Sequence, residues 1–102
     1  MRYAWQAEVV IRSFASRDTE LLWRRWRVPG IDPRLQRSAL RKLRLLDAAT
    51  SLNDLRVPPG NRLEALRGDR SGQHSIRIND QWRICFVWTA AGVEEVDIVD
   101  YH

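Results

Sequence analysis

The stretch Gln73–Trp88, which reads QHSIRINDQWRICFVW, decides the fold because apolar and polar residues alternate on both sides of a short polar turn. A two-residue turn at Asn79-Asp80 would set apolar residues beside charged ones. A three-residue loop over 79–81 instead places six apolar side chains on one face: Ile76, Ile78, Trp82, Ile84, Phe86 and Trp88. Because burial of one face selects the register, we predict the three-residue loop. Arg77 and Arg83 then project together from the opposite face.

Two helices are predicted upstream of this hairpin. Asp18-Thr19-Glu20 provides a capping residue and an acidic first turn for a helix over Asp18–Arg27, which Pro29-Gly30 ends. Asp32-Pro33 starts a second helix that runs to about Ala49. One face of the second helix is apolar at helical spacing and is predicted to enter the core: Leu35, Ala39, Leu43 and Leu46.

The second predicted helix also carries a continuous basic stripe, formed by Arg34, Arg37, Arg41 and Arg44. Such a stripe is compatible with a solvated helix face. It is also compatible with an electrostatic track for a phosphate backbone or for an acidic partner segment. Both interpretations stay open at the level of sequence.

Four further segments complete the predicted elements. They are a first strand over Val9–Phe14, a short helical turn over Leu52–Leu55, a strand over Arg62–Leu66 and a last strand over Val93–Val99. The order of elements is therefore one strand, two helices and four strands. This order predicts an α+β fold in which the N-terminal strand and two helices pack on an antiparallel-rich sheet of four to five strands.

Composition limits the classes of function. The chain has 102 residues, enough for one domain, and its net charge of +4 favours a polyanionic partner. Lys42 is the only lysine, so the positive charge is almost all arginine, which suits phosphate and base contacts but also follows from genome composition. A single cysteine, Cys85, excludes a disulfide framework and a multi-cysteine metal site. No apolar run approaches the ~20 residues of a membrane span, so we expect a cytoplasmic protein without membrane partners.

Six segments, in order, resemble the HigB group of RelE-like toxins, closest to the GraT-like plasmid maintenance killer toxins. They are Ile11–Phe14, Leu46–Thr50, Arg62–Arg70, Ser75–Asn79, Gln81–Phe86 and Asp100–His102. The resemblance covers residues 10–102, which we expect to form the toxin domain. Chains of this group usually begin with Met-Ile at the position of Val10-Ile11, so residues 1–9 are expected to be an N-terminal extension. Valine at position 10 is consistent with an internal GTG start codon.

The resemblance implies a RelE-like microdomain and a toxin of a type II toxin–antitoxin pair. Toxins of this group are endoribonucleases that cut messenger RNA on the ribosome, inhibit translation and growth, and need no metal or cofactor. The implied partners are therefore messenger RNA, the ribosome and a HigA-like helix-turn-helix antitoxin.

The resemblance also implies the site residues. Arg67 and Arg83 would hold the scissile phosphate, and His102 would transfer protons because its ordinary pKa lies near neutrality. Asp100 would orient His102 or act as a base, and Tyr101 would donate a hydrogen bond or stack on a base. Glu64 occupies a position where a well-studied branch has histidine; it is either a base or a structural partner of an arginine. The predicted RNA contacts are Arg34, Arg37, Arg41, Arg70 and Arg77.

Several residues that could carry chemistry also have a purely structural interpretation. The last three residues are a chain terminus, and such residues are often frayed. His74 is expected to be a packed or edge-strand histidine and Cys85 a small core residue. Trp23 and Trp26 are expected to anchor their helix to the core or to a partner such as an antitoxin.

Two other functions fit the same resemblance. ParE-like relatives share the fold and poison DNA gyrase without cleaving RNA. A catalytically weak binding partner, which acts only within an antitoxin–repressor complex, is the third possibility. The terminal Asp-Tyr-His and the paired arginines favour the nuclease.

Overall fold

Four antiparallel strands form one sheet in chain order, and two helices pack against it. The computed structural model describes residues 10–101, so the expected extension at residues 1–9 and His102 lie outside the described residues. The helices are α1 (Arg17–Trp23) and α2 (Pro33–Ala48), and the strands are β1 (Glu64–Ala65), β2 (His74–Arg77), β3 (Trp82–Thr89) and β4 (Gly92–Asp100). Short 3₁₀ turns lie at Leu52–Arg56, Pro59–Asn61 and Gly68–Arg70. The α+β fold class is confirmed.

The predicted hairpin register is confirmed. Ile76 pairs with Ile84, and Arg77 pairs with Arg83. The loop over 79–81 is closed by the Asn79 side chain, whose Oδ1 accepts hydrogen bonds from the backbone N–H groups of residues 81 and 82 at 2.9 and 2.8 Å. The side-chain oxygen of Asn79 therefore adds to the backbone closure, in which the N–H groups of Ile78 and Asn79 both donate to the Trp82 carbonyl.

The core lies between α2 and one face of the sheet. The four apolar residues predicted to line α2 are all buried, and three of them, Ala39, Leu43 and Leu46, belong to the same core cluster as Ile76, Ile84 and Phe86. Burying one such side chain stabilises the fold by roughly 1.5–3 kcal/mol. The predicted start of α2 is also confirmed, since Asp32 Oδ1 accepts from the Arg34 N–H at 2.7 Å. Arg83, which alternates with Ile84 along β3, points to the opposite face of the sheet.

The prediction for the first helix is wrong at both ends. The cap is Ser16, whose Oγ accepts from the Thr19 N–H at 3.2 Å, and the helix ends at Trp23 rather than Arg27. Arg25 adopts a left-handed backbone with φ of +69°, which turns the chain toward the fully buried Val28. Core packing of Val28 therefore outweighs the helical propensity of the preceding arginines and tryptophan.

Val9, the first residue of the predicted N-terminal strand, lies outside the described residues. In the described part, the strand is reduced to two isolated parallel bridges, Ile11 with Val93 and Phe14 with Val96. The cause is a bulge in β4, where Glu95 adopts a φ of +55°. The bulge places Val93 and Val96, which are three residues apart, on the core face. A regular strand places every second residue on one face, so it cannot pair continuously with this part of β4.

The predicted strand over Arg62–Leu66 shortens to Glu64–Ala65 because Arg62 has a left-handed φ of +46° after a 3₁₀ turn. Among residues 10–101, no helix is long and apolar enough to cross a membrane.

Candidate active site

Arg83 is held rigidly on the face of the sheet that α2 leaves uncovered. Its Nε donates to Ser75 Oγ at 2.7 Å, and its Nη2 donates to the Arg62 carbonyl at 2.5 Å and the Ser75 carbonyl at 3.4 Å. Glu64 Oε1 lies 3.6 Å from the same Nη2. Arg83 is only 8% exposed, so its positive charge is fixed in position with little freedom to reorient.

The strand register explains these contacts. Ser75 pairs with Cys85, two residues from Arg83 on the same face, so Ser75 is the diagonal neighbour of Arg83 across the hairpin. Glu64 on β1 pairs with Ser75 and therefore follows on that face. Glu64 on β1, Ser75 on β2 and Arg83 on β3 are therefore neighbours on one face of the sheet.

Tyr101 covers one side of the Arg83 guanidinium. The Arg83 Cζ atom lies 5.9 Å from the centre of the Tyr101 ring, a distance at which a cation and an aromatic face attract each other. A hydrogen bond of 2.7 Å from the Tyr101 N–H to the Gln81 carbonyl fixes the backbone of the residue. Tyr101 as a residue nevertheless remains 43% exposed. It therefore presents an accessible surface beside a fixed positive charge.

Cys85 and Tyr101 form a polar pair next to the guanidinium. Cys85 Sγ lies 3.9 Å from the Tyr101 hydroxyl. Desolvation by burial is the main cause that raises the pKa of both the thiol and the phenol. The charge of Arg70 opposes part of that rise in both groups. We call the group formed by Glu64, Arg70, Ser75, Arg83, Cys85 and Tyr101 the Arg83 cluster.

The Arg83 cluster can bind and polarise a phosphodiester. Among the hydrogen bonds of residues 10–101, none uses Nη1 of Arg83, so that nitrogen is available to a phosphate oxygen. The Tyr101 hydroxyl is a hydrogen-bond donor, and burial raises its pKa further above the ordinary phenol value. Glu64 is exposed and provides a carboxylate beside the Arg83 guanidinium. These are the group types required for electrostatic and acid–base catalysis of phosphoryl transfer.

Comparison with known proteins identifies the family. Residues 17–102 match the family model described as the RelE-like toxin of type II toxin-antitoxin system HigB. The chain belongs to the HigB-like toxin family. The description of the family places its members among the toxins of type II toxin-antitoxin systems.

Three relatives illustrate the extent of the similarity. Toxin HigB-1 of Vibrio cholerae is 50% identical over 54 residues, which make up 53% of this chain and 57% of that protein. An uncharacterized protein of Haemophilus influenzae is 39% identical over 56 residues, 55% of each chain. Endoribonuclease HigB of Proteus vulgaris is 28% identical over 93 residues, 91% of this chain and 100% of that protein. The chain therefore spans little more than half the length of the first two relatives.

Three further residues of this HigB-like toxin were predicted to belong to the site: Arg67, Asp100 and His102. Arg67 is exposed and precedes the 3₁₀ turn that follows β1. Asp100 pairs with Trp82, on the face opposite Arg83, and its Oδ2 accepts from Gln81 Nε2 at 3.0 Å. His102 lies outside the described residues.

The predicted RNA contacts fall into two groups. Arg77 pairs with Arg83 on the same side of the sheet and is ion-paired to Asp80. Arg70 is bonded to Gln73 and lies close enough for its charge to lower the pKa of Cys85 and of Tyr101. The exposed stripe of Arg34, Arg37 and Arg41 faces away from the sheet, because α2 lies between it and β3. The stripe and the Arg83 cluster are therefore on opposite sides of the HigB-like domain.

Sequence reasoning missed Ser75 and the Arg62 carbonyl, and treated Cys85 as a core residue only. Cys85 is fully buried, as expected, but its sulfur contacts Tyr101 on the face of the Arg83 cluster. The register contained the signal for Ser75, since the three-residue loop makes it the diagonal neighbour of Arg83. The role of Arg62 depends on its left-handed backbone, for which no local sequence signal exists. His74 stacks on Phe86 with ring centres 6.3 Å apart, in agreement with its expected packing role.

Proposed function

We propose that this chain is a ribosome-dependent endoribonuclease that cleaves messenger RNA and is neutralised by a HigA-like antitoxin. The observation that carries the proposal is the immobilised Arg83 guanidinium, flanked by the exposed Tyr101 ring and the Glu64 carboxylate. A fixed cation with one unengaged donor matches the charge that grows on a phosphodiester during cleavage. The name of the Proteus vulgaris relative, Endoribonuclease HigB, agrees with this chemistry.

The proposed reaction is attack of a ribose 2′-oxygen on the adjacent phosphorus, which breaks the bond to the 5′-oxygen. Glu64 accepts the proton of the 2′-hydroxyl, and His102 donates a proton to the leaving 5′-oxygen. Arg83 and Arg67 stabilise the phosphate. Asp100 lies on the face opposite Arg83, so its proposed role is only the indirect one of orienting His102, which is close to it in sequence. Tyr101 donates a hydrogen bond or stacks on a base. The products are a 2′,3′-cyclic phosphate and a 5′-hydroxyl, so atoms and charges balance without an added reactant.

Messenger RNA is the proposed substrate because the domain combines a net charge of +4 with arginine as nearly its only cation. Arginine binds phosphate through two parallel hydrogen bonds and stacks on bases, which suits single-stranded RNA. Arg70 and Arg77 extend the positive surface on the side of the Arg83 cluster and are the proposed contacts to neighbouring phosphates.

Mapping of transcript 5′ ends in bacterial cells tests the proposal. After induction of the wild-type chain, we expect new 5′ ends inside translated regions. These ends should disappear with Arg83→Gln, decrease with Tyr101→Phe and persist with Arg56→Gln, which changes an exposed arginine on the 3₁₀ turn that follows α2. Circular dichroism of each purified variant controls for folding.

Two outcomes contradict the proposal. One is a cleavage pattern that survives Arg83→Gln in a folded variant. The other is growth inhibition with intact transcripts and gyrase-linked DNA breaks, which would indicate the ParE-like activity instead.

A further inference from the structure

A shallow groove of about 320 Å³ lies on the side of the molecule away from the Arg83 cluster. It runs between α2 and the loop that follows α1. Pro33 and Leu40 supply apolar surface, and four arginines line the groove: Arg25, Arg27, Arg37 and Arg44. We call it the arginine groove.

The charge of the arginine groove is not compensated within the described part of the chain. The ion pairs among residues 10–101 involve other arginines, at positions 24, 34, 77 and 83. Within residues 10–101, the hydrogen bonds of Arg27 go to carbonyl and amide oxygens, which do not neutralise its charge. Four like charges around one small concavity repel each other, so a ligand with negative charge at that position would relieve the repulsion.

The groove is preformed. Gln36 Nε2 donates to the Trp26 carbonyl at 2.7 Å, and Gln36 Oε1 accepts from the Val28 N–H at 3.3 Å. These bonds tie the loop to α2 and hold both walls of the groove in place. A preformed site loses little conformational entropy when a partner binds.

An exposed tryptophan adjoins the groove. Trp26 lies between Arg25 and Arg27 in the loop, and 65% of its surface is exposed. It lines a neighbouring pocket of about 460 Å³ together with Leu21. Large exposed aromatics beside a pocket are typical of protein–protein contact sites, where they become binding hot spots.

We propose that the arginine groove binds a segment of the antitoxin in which an apolar side chain is flanked by carboxylates. The apolar side chain would rest on Pro33 and Leu40, and the carboxylates would pair with the surrounding arginines. An RNA backbone fits this surface less well, because the apolar surface between the arginines offers nothing to a phosphate. The proposal deepens the proposed function by naming the surface and chemistry of its protein partner.

Binding of a defined peptide to the full chain tests the assignment. The probe is a fluorescent amphipathic peptide of about 16 residues, with leucines three and four residues apart and glutamates on both sides of them. Because binding does not depend on RNA cleavage, failure here is distinguishable from failure of the nuclease proposal. Fluorescence anisotropy gives the dissociation constant at physiological salt.

Matched pairs on the same helix distinguish groove binding from general attraction. Arg37→Glu with Arg44→Glu changes two groove arginines, whereas Arg34→Glu with Arg41→Glu changes two arginines of equal spacing outside the groove. We expect the groove pair to weaken binding at least tenfold, as for a central contact, and the outer pair to stay within about threefold because of salt screening.

A scrambled peptide of the same composition should bind at least about tenfold more weakly, since its leucines no longer share a face. The proposal is overturned if the ordered peptide does not bind, if both arginine pairs weaken it equally, or if the scrambled peptide binds as well. It is also overturned if single-stranded RNA of equal length depends on the groove pair more strongly than the peptide does.

Discussion

Replacement of Ser75 by alanine isolates the contact that orients Arg83. Ser75 is fully buried, and its hydroxyl is the acceptor for Arg83 Nε at 2.7 Å. The other two hydrogen bonds of the guanidinium use Nη2, so the substitution leaves the buried Nε without its acceptor. A buried donor on a charged group that loses its partner costs about 2–3 kcal/mol. We therefore expect Ser75→Ala to lower the free energy of unfolding by about that amount.

A double-mutant cycle gives the measurement its control. Arg83→Met removes the charge together with the donor, so Ser75→Ala in that background no longer strands a polar group. The effect of Ser75→Ala on the free energy of unfolding, measured by urea denaturation, should fall below about 0.5 kcal/mol in the Arg83→Met chain. Equal effects of Ser75→Ala in both backgrounds would refute the inference that the hydroxyl acts on Arg83.

Three further predictions concern the scaffold. Gly92 has a φ of +146°, and a Cβ added there would lie 2.6 Å from the Val10 carbonyl oxygen. Gly92→Ala should therefore destabilise the fold by more than about 1 kcal/mol in urea titration, and an unchanged midpoint would contradict the close approach. Asp32→Ala removes the cap of α2 and should cost about 1 kcal/mol by thermal unfolding, with Asp32→Ser close to wild type; equal loss in both would argue against capping. Burial raises the pKa of the Cys85 thiol, so the unfolded chain ionises first and stability falls as pH rises through the ordinary thiol pKa of 9.0. Cys85→Ala should reduce that alkaline loss between neutral pH and about pH 10, and an identical pH profile for both chains would contradict it.

The elements with strong periodicity were predictable from sequence. The apolar alternation around residues 79–81 determines the hairpin register, and the Asp32-Pro33 start and apolar face determine α2. Both depend on local pattern, and tertiary packing reinforces that pattern. The pairing of Arg77 with Arg83 across β2 and β3 follows from the same register.

The remaining features depend on contacts between distant segments. The early end of α1 follows from burial of Val28, and the loss of the N-terminal strand follows from the bulge at Glu95. The left-handed residues at these two places are Arg25 and Glu95, and neither is a glycine, the usual sequence signal for a left-handed backbone. The left-handed conformation of Arg62, which directs its carbonyl toward Arg83, could not be predicted either, because Arg62 is also not a glycine.

The candidate site was predictable in part. Arg83, Tyr101 and Glu64 were predicted through resemblance, and the fold brings them together. Register separates Asp100 from Arg83, since the two residues belong to alternate positions of paired strands. The catalytic roles of all these residues stay predictions.

The single-turnover rate of RNA cleavage by the purified chain on a ribosome-bound message tests the central claim most directly. Loss of one preorganised donor at a developing charge typically lowers such a rate by about 10²–10³-fold. We predict a loss of that size for Arg83→Gln and a wild-type rate for Arg56→Gln. A folded Arg83→Gln chain that cleaves within about tenfold of the wild-type rate would contradict the assignment of the Arg83 cluster as the active site.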